Sequence, residues 1–291
     1  MNRQNNSIAF SPERGENTAA GWHGKVELGY RNCGGATKLM RDRVQAPLKV
    51  QRPFYPEGNA ICHSVILHTA GGIVGGDRLS QDIRLEPNSH ALITTASAAK
   101  LYRSEGETAT QKISIIVEKD AVLECLPQEM IVFDGAIYRQ EMRVELAPGA
   151  RVLLWEISRF GRSARGETFR RGHWRSHSEI WQTGRPLWID RQQAIGSAAA
   201  IATPNRLACR PIVATLAWVG EPVTRHLVQQ ARSLFPEKGG EVGVTRLTDG
   251  LLCRYRGDST AEVRHWFTDI WELLRLSFLH RPSCPPRVWP L

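Results

Sequence analysis

The chain has 291 residues, 42% hydrophobic and 23% charged, which sets it among globular proteins rather than disordered or fibrous ones. A net charge of +9 with a pI near 9.6 favours acidic partners, whether nucleic acid, anionic membrane or acidic protein, without choosing among them. No apolar run approaches the roughly 18 residues of a membrane span, no signal-peptide core opens the chain, and the six cysteines form no C-x-x-C, so reduced thiols in a cytoplasmic protein with no membrane contact are expected.

Residues 1–20 are polar and read as a flexible tail, and the absence of a Gly- or Ser-rich linker makes 21–291 one domain. The first strong signal is "HTAGGIVGGDRL", residues 68–79. Gly71 to Gly76 has the spacing of half a Walker A loop, but Asp77 and Arg78 stand where the phosphate-binding lysine and the metal-binding hydroxyl belong. A carboxylate there repels phosphate, so Gly71, Gly72, Gly75 and Gly76 read instead as a sharp turn with φ > 0, locked by Asp77 through its own backbone hydrogen bonds. Short β-branched and aromatic runs follow: "ALITTAS", "KISIIVE", "AVLECLP", "MIVFDGA", "MRVELAPG" and "RVLLWEIS". In the second, Ile113, Ile115 and Val117 share one face by simple alternation. A strand-turn-strand unit recurs about every 30 residues, with an alanine after each turn (Ala91, Ala121, Ala150). Such a unit cannot bury its own apolar face, which predicts stacked layers, although a two-sheet sandwich also fits.

Long helical periodicity is missing from Trp22 to Ile195. The last third differs. "EPVTRHLVQQARSLF" predicts a helix with Pro222 early, Val223, Leu227, Ala231 and Leu234 on one face, and Pro236 as its stop. A hairpin follows around Asp249-Gly250. "STAEVRHWFTDIWELLRLSFLH" predicts the clearest helix, with a Ser259/Glu262 capping box and an apolar stripe of Val263, Trp266, Phe267, Ile270, Leu274 and Phe278.

Candidate chemistry is sparse. Arg159, Arg162, Arg165, Arg170, Arg171 and Arg175, interleaved with Phe160, Phe169 and Trp174, suit either base stacking on a nucleic-acid surface or docking of an acidic protein. No common nucleic-acid module is recognisable, which favours the protein partner. The His173/His177, Cys62-His63/His68 and His280/Cys284 pairs offer no three ligands at a diagnostic spacing. Asp77, Glu124, Glu129, Asp134 and Glu167 lie by turns or apolar strands. They read either as partners for the arginines or as the paired acids of a β-helix carbohydrate enzyme. There is no G-x-S-x-G nucleophile.

Taken in order, "GGIVGGDRL", "LITTASAAKLYRS" (92–104), "LECLPQEMIVFDGA" (123–136), "GRSARGETF" (161–169) and "PRVWPL" (286–291) resemble the urease accessory protein family UreD, also called UreH, from about Gly24 to Trp289. One departure stands out: Thr69-Ala70 replace the two prolines common before the glycines. The resemblance implies a right-handed β-helix-like stack of strands with two C-terminal helices, and a scaffold that is not an enzyme. It implies partners, namely a helical accessory protein (UreF), a GTPase (UreG) and apo-urease, and help in inserting nickel by way of a water-filled passage. No permanent cofactor is implied, only nickel in transit, for which Asp77, Glu124, Glu129 and Glu167 are candidates. Arg162, Arg165, Arg170, Arg171, Trp174 and Arg287 are candidates for docking, and Tyr102 and Arg103 for sensitivity of another kind.

Overall fold

The structure is a computed structural model and describes residues 21–197, 203, 207–235 and 239–289. The segment read as a tail and Pro236 lie outside the described residues. The strands run β1 (His23–Cys33), β2 (Ala36–Gln45), β3 (Leu48–Val50), β4 (Ile61–His68), β5 (Arg78–Leu85), β6 (His90–Thr95), β7 (Ala99–Leu101), β8 (Ala109–Val117), β9 (Val122–Cys125) and β10 (Met130–Val132). Then come β11 (Ile137–Leu146), β12 (Arg151–Phe160), β13 (His173–Gln182), β14 (Arg185–Ile195), β15 (Ile212–Val219), helix α1 (Arg225–Ser233), β16 (Glu241–Leu247), β17 (Gly250–Gly257) and helix α2 (Thr260–Phe278). Neither helix is long and apolar enough to cross a membrane.

From β4 to β13 the chain winds as a coil of strands, in a β-solenoid-like arrangement. One side is the parallel run β1-β5-β8-β11-β13, closed at its ends by antiparallel β2 and β14. The second is the parallel run β4-β6-β9-β12, extended by antiparallel β3 at one end and β15, β17 and β16 at the other. A short third side stacks Ile73 on β7, β7 on β10, and β10 on the end of β12. Alternation fills the coil: Ile83, Leu85, Ile115, Val117, Val144, Leu146, Leu123 and Val152 all point inward into one core.

The predicted repeat is real, but its frame needs correction. Ser89, Ala121 and Ala150 stack, because the amide of Val122 donates to the carbonyl of Ser89 and that of Arg151 to Ala121. Ala91 instead pairs with Leu123, two residues further along. A two-residue slip preserves the inward phase, so alternation alone does not reveal it. Each turn before the stacked position has one residue in the left-handed region, Asn88 (φ 58°), Asp120 (φ 57°) and Gly149 (φ 77°), all types that tolerate it.

A second core lies outside the coil. The outer faces of β12, β15 and β17 carry Leu153, Trp155, Ile157, Leu216, Trp218, Leu251 and Cys253, which water cannot cover favourably. Helices α1 and α2 cover them with Leu227, Val228, Ala231, Val263, Trp266, Phe267, Ile270 and Leu274. Helix α1 starts later than the sequence predicts: Thr224 caps it, accepting from the Leu227 amide at 3.1 Å, so Pro222 precedes the cap, and Leu234 is exposed rather than on the buried face. Ser259 caps α2 as expected, but Glu262 turns away to the Tyr255 hydroxyl and the Gly240 amide, so the reciprocal half of the box is not made. The hairpin forms at Thr248-Asp249, with Leu247 opposite Gly250.

Candidate functional site

The glycine turn joins β4 to β5 at one corner of the coil. Gly71 (φ 72°) and Gly76 (φ 86°) need glycine for backbone reasons, as predicted. Gly72 and Gly75 do not have positive φ; they are small because neighbours press on them. A Cβ on Gly72 would run into the Tyr102 ring, and one on Gly75 into the Ser104 hydroxyl. Asp77 is buried, and its carboxylate accepts from the Val74 amide at 2.9 Å and from the Trp22 amide at 2.8 Å. It therefore locks this turn and ties the first strand to it.

The same corner, one layer on, carries an aromatic and arginine stack. The Tyr102 ring meets Phe133 edge-on at 5.0 Å, and the Arg162 guanidinium lies over Phe133 at 4.4 Å. Arg162 also pairs with Glu167, whose other oxygen accepts from the Asp134 amide at 3.3 Å. The Arg162 hydrogen bond holds the Glu167 carboxyl below its usual range. Asp134 accepts from the amides of Arg170 and Arg171, both at 2.7 Å, and from the Arg171 guanidinium at 3.0 Å. The Arg103 stem packs on Gly135, where a Cβ would lie 2.9 Å from it. Thus the glycine turn, Tyr102, Arg103, Arg162, Glu167, Arg170 and Arg171, scattered over a hundred residues of sequence, share one corner. Arg165 projects nearby on the exposed 3-10 turn Ser163–Arg165.

Trp174 is not part of that surface. It is buried in the coil with Phe160 and Phe169, the Phe160 and Trp174 rings meeting edge-on at 5.4 Å. In β13 the alternation sends His173, Arg175 and His177 outward and Trp174, Ser176 and Ser178 inward, so the interleaved aromatics belong to the core and cannot stack bases.

Two predicted acids and one arginine lie elsewhere. Glu124 is fully buried under α2, where it accepts from Arg275 Nε at 2.8 Å and Nη2 at 2.6 Å, from the Trp271 indole at 2.6 Å, and contacts His90 at 3.0 Å. Burial alone would raise its pKa; the Arg275 hydrogen bonds, helped by His90, outweigh it and hold the carboxyl well below the usual range. Arg275 also binds Glu57, which in turn contacts His63 at 2.8 Å. Glu129 pairs with Arg264 of α2. Arg287 is exposed and stacks on Phe54 at 4.0 Å, close to the docked C-terminal segment, whose Trp289 indole donates to Thr94 at 2.9 Å. Glu124, Glu129, Asp134 and Glu167 are thus each engaged by an arginine, the blander of the two sequence readings.

The sequence reading missed the inside of the coil. Gln111, Gln140, Ser176 and Gln192 occupy successive inward positions in register across β8, β11, β13 and β14. Across the coil, Glu156, Thr215 and Arg254 form a matching polar row on β12, β15 and β17. The two rows meet. Gln140 Nε2 donates to the Glu156 carboxylate, and Ser176 Oγ lies 3.3 Å from its other oxygen. Arg254 pairs with Asp190 at 2.7 Å and donates to Thr215 at 2.9 Å, and Gln192 donates to both Asp190 and Thr215. The Tyr138 hydroxyl lies 2.7 Å from Gln111 and 3.2 Å from Gln140.

A cavity of about 130 Å³ is lined by Gln81, Gln111, Gln140, Glu156 and Ser158, with Cys125 and Met142 among its apolar walls. Glu156 is half-buried and lines this space. Burial and the charge of Asp190 push its carboxyl up to about 7, against the opposing pull of Gln140, Ser176 and Arg254. An outer chamber of about 330 Å³ adjoins it near the glycine turn, sharing Ile66, Gln81, Thr95, Ala99 and Gln111 as wall and adding His68, Gly71 and Gly72. Among the described residues, no group of three or more His, Cys, Asp or Glu is placed to hold a metal ion.

Comparison with known proteins gives the family. The sequence model of the family described as "UreD urease accessory protein" matches residues 23–290. A protein of Trichormus variabilis named urease accessory protein UreD is 60% identical over 269 residues, 92% of this chain and 96% of the relative. The like-named protein of Nostoc punctiforme is 61% identical over 271 residues, 93% and 97% of the two chains, and that of Synechocystis sp. is 43% identical over 261 residues, 89% and 97%. This chain therefore belongs to the UreD family of urease accessory proteins, whose role is in the maturation of urease.

Proposed function

We propose that this protein is a scaffold that joins apo-urease to the helical accessory protein UreF and the GTPase UreG, and that nickel passes as cargo through the interior of the coil toward urease. The observation that carries this reading is the polar layer set across an otherwise apolar core, with Gln111, Gln140, Ser176 and Glu156 lining or bordering a cavity. Burying such groups costs free energy, and a packed Leu or Val layer would be cheaper, so their presence argues for a task other than stability. The ligands are also of the right strength. Amide and hydroxyl oxygens with one carboxylate bind a divalent ion weakly, as a route that must release its cargo requires. A scaffold role rather than a catalytic one is supported by the acids of the corner and of α2, each engaged by an arginine. The exposed Arg165, Arg170 and Arg171 beside the Tyr102-Phe133-Arg162 stack offer a docking surface for an acidic partner.

The test is co-expression of urease and its accessory proteins with this chain as wild type or as Gln111→Leu, which replaces one interior oxygen by an apolar group of similar size. The variant is expected to assemble with its partners yet leave urease with clearly less nickel per active site. Equal nickel loading at equal complex yield would remove the interior from the route. Failure of the wild type to assemble with any partner would remove the scaffold itself.

A further inference from the structure

His68 ends β4, and both its ring nitrogens are buried without a hydrogen-bond partner in the protein. Buried polar atoms of this kind are uncommon and usually mark a bound water or ion. The ring lines the outer chamber with Gln81, Thr95, Ser97 and Gln111, beside the glycine turn. Burial lowers its pKa, with the charge of Asp77 acting in the opposite direction, so at neutral pH the ring is mostly uncharged and has one free lone pair. A neutral imidazole beside oxygen donors is a ligand set for divalent cations of borderline softness.

Resting on the reading of the interior as a cation route, we infer that His68 is the first protein ligand a borderline divalent cation meets there, holding it in the outer chamber with most of its water shell intact. Position separates the two spaces: the exposed Gly71, Ser97 and Lys100 line the outer chamber and not the inner cavity, so an ion entering at this corner meets the outer chamber first. In the outer chamber the cation exchanges one water for a His68 nitrogen, and no proton moves. Passage inward then exchanges further waters for oxygens of Gln111, Gln140 or Glu156, which line the inner cavity. One imidazole holds the ion loosely enough for it to move on, and no multi-residue cage stands among the described residues.

The experiment uses the full-length protein labelled with ¹⁵N-histidine and titrated with nickel(II) chloride at pH 7. Paramagnetic broadening of the His68 ring signals is expected before that of exposed rings such as His265. In His68→Gln the first binding event should weaken by about tenfold or more, with an unchanged far-ultraviolet circular dichroism spectrum. Broadening confined to the surface histidines, or none, assigns His68 an ordered water only and overturns the proposal; this result is read on the wild type and does not depend on the variant folding. His68→Gln is also introduced into the cells that assemble urease. Loss of the ion at residue 68 with urease fully loaded overturns the entry role, while the route itself is judged separately by Gln111→Leu.

Discussion

Replacing Glu156 by glutamine keeps the shape of the interior polar layer and removes one ionisation. In the folded protein burial and Asp190 place this carboxyl at about 7, against an ordinary value of 4.5. A carboxyl raised on folding contributes most below its unfolded value, and that contribution is lost as pH rises through the folded one. The 2.5-unit difference, 7 less 4.5, corresponds to about 3 kcal/mol at 1.36 kcal/mol per unit. Most of it falls between pH 5 and pH 8, where linkage gives about 2.5 kcal/mol, because at pH 5 the unfolded chain is already largely ionised and the folded one is not. The wild type should therefore lose about 2.5 kcal/mol relative to Glu156→Gln over that interval. The assay is urea unfolding of both proteins at pH 5 and pH 8, with slopes checked for equality before midpoints are converted. Parallel pH profiles, or a gap that moves the other way, would refute the claim that this carboxyl is desolvated beside a like charge.

Three further outcomes follow from the geometry. Arg275→Met leaves Glu124 and Glu57 buried without their shared guanidinium, and should destabilise the protein by about 3–5 kcal/mol in the same unfolding assay. Gly72→Ala should cost about 1–3 kcal/mol by overpacking against Tyr102, and adding Tyr102→Ala should recover part of that loss, the Lys100 carbonyl still standing 2.9 Å from the new methyl; strict additivity in a double-mutant cycle would contradict this. Arg165→Glu with Arg170→Glu should slow association with an acidic partner by about tenfold at low salt and much less at high salt, read by surface plasmon resonance; a salt-independent effect would mean that the corner acts through shape rather than charge.

Strand identity was legible in the sequence because alternation and turn chemistry are local. "KISIIVE" shows its inward face in Ile113, Ile115 and Val117, and the same parity placed Gln111 inward, a signal available and not used. What sequence could not show was the pairing of parallel strands. Gln140 meets Ser176 only because β11 lies beside β13, 36 residues later, and nothing local marks that register. Reading the aromatics of the arginine stretch as part of its surface failed for a different reason. It treated Phe160 and Trp174 as neighbours of the arginines in sequence, whereas a period of two puts them on the opposite face. Glu124 was found as an acid by an apolar strand, but its partner Arg275 is 151 residues away on a helix whose apolar stripe gave no reason to expect an arginine within it.

The arrangement of the core shows how the coil can be rigid and still enclose a polar space. On one side of the polar layer Leu85, Val117, Leu146 and Ile180 pack the coil, and on the other Ile73, Leu101, Val132 and Phe160 do so along the short third side. These apolar packings hold the strands in register, so the layer between them can have unfilled space without loosening the coil. Each layer is also tied to the outside by a different device: Asp77 at the first turn, Arg162 with Glu167 at the last corner, and Arg275 with Glu124 and Glu57 under α2. Those fasteners are charged groups paired with one another or with the backbone, whereas Gln111, Gln140 and Glu156 line the cavity and are bound to one another, to Tyr138 and to Ser176. The candidate acids chosen from sequence and the groups facing the interior thus divide the labour: the former fix the frame, and the latter border the space within it.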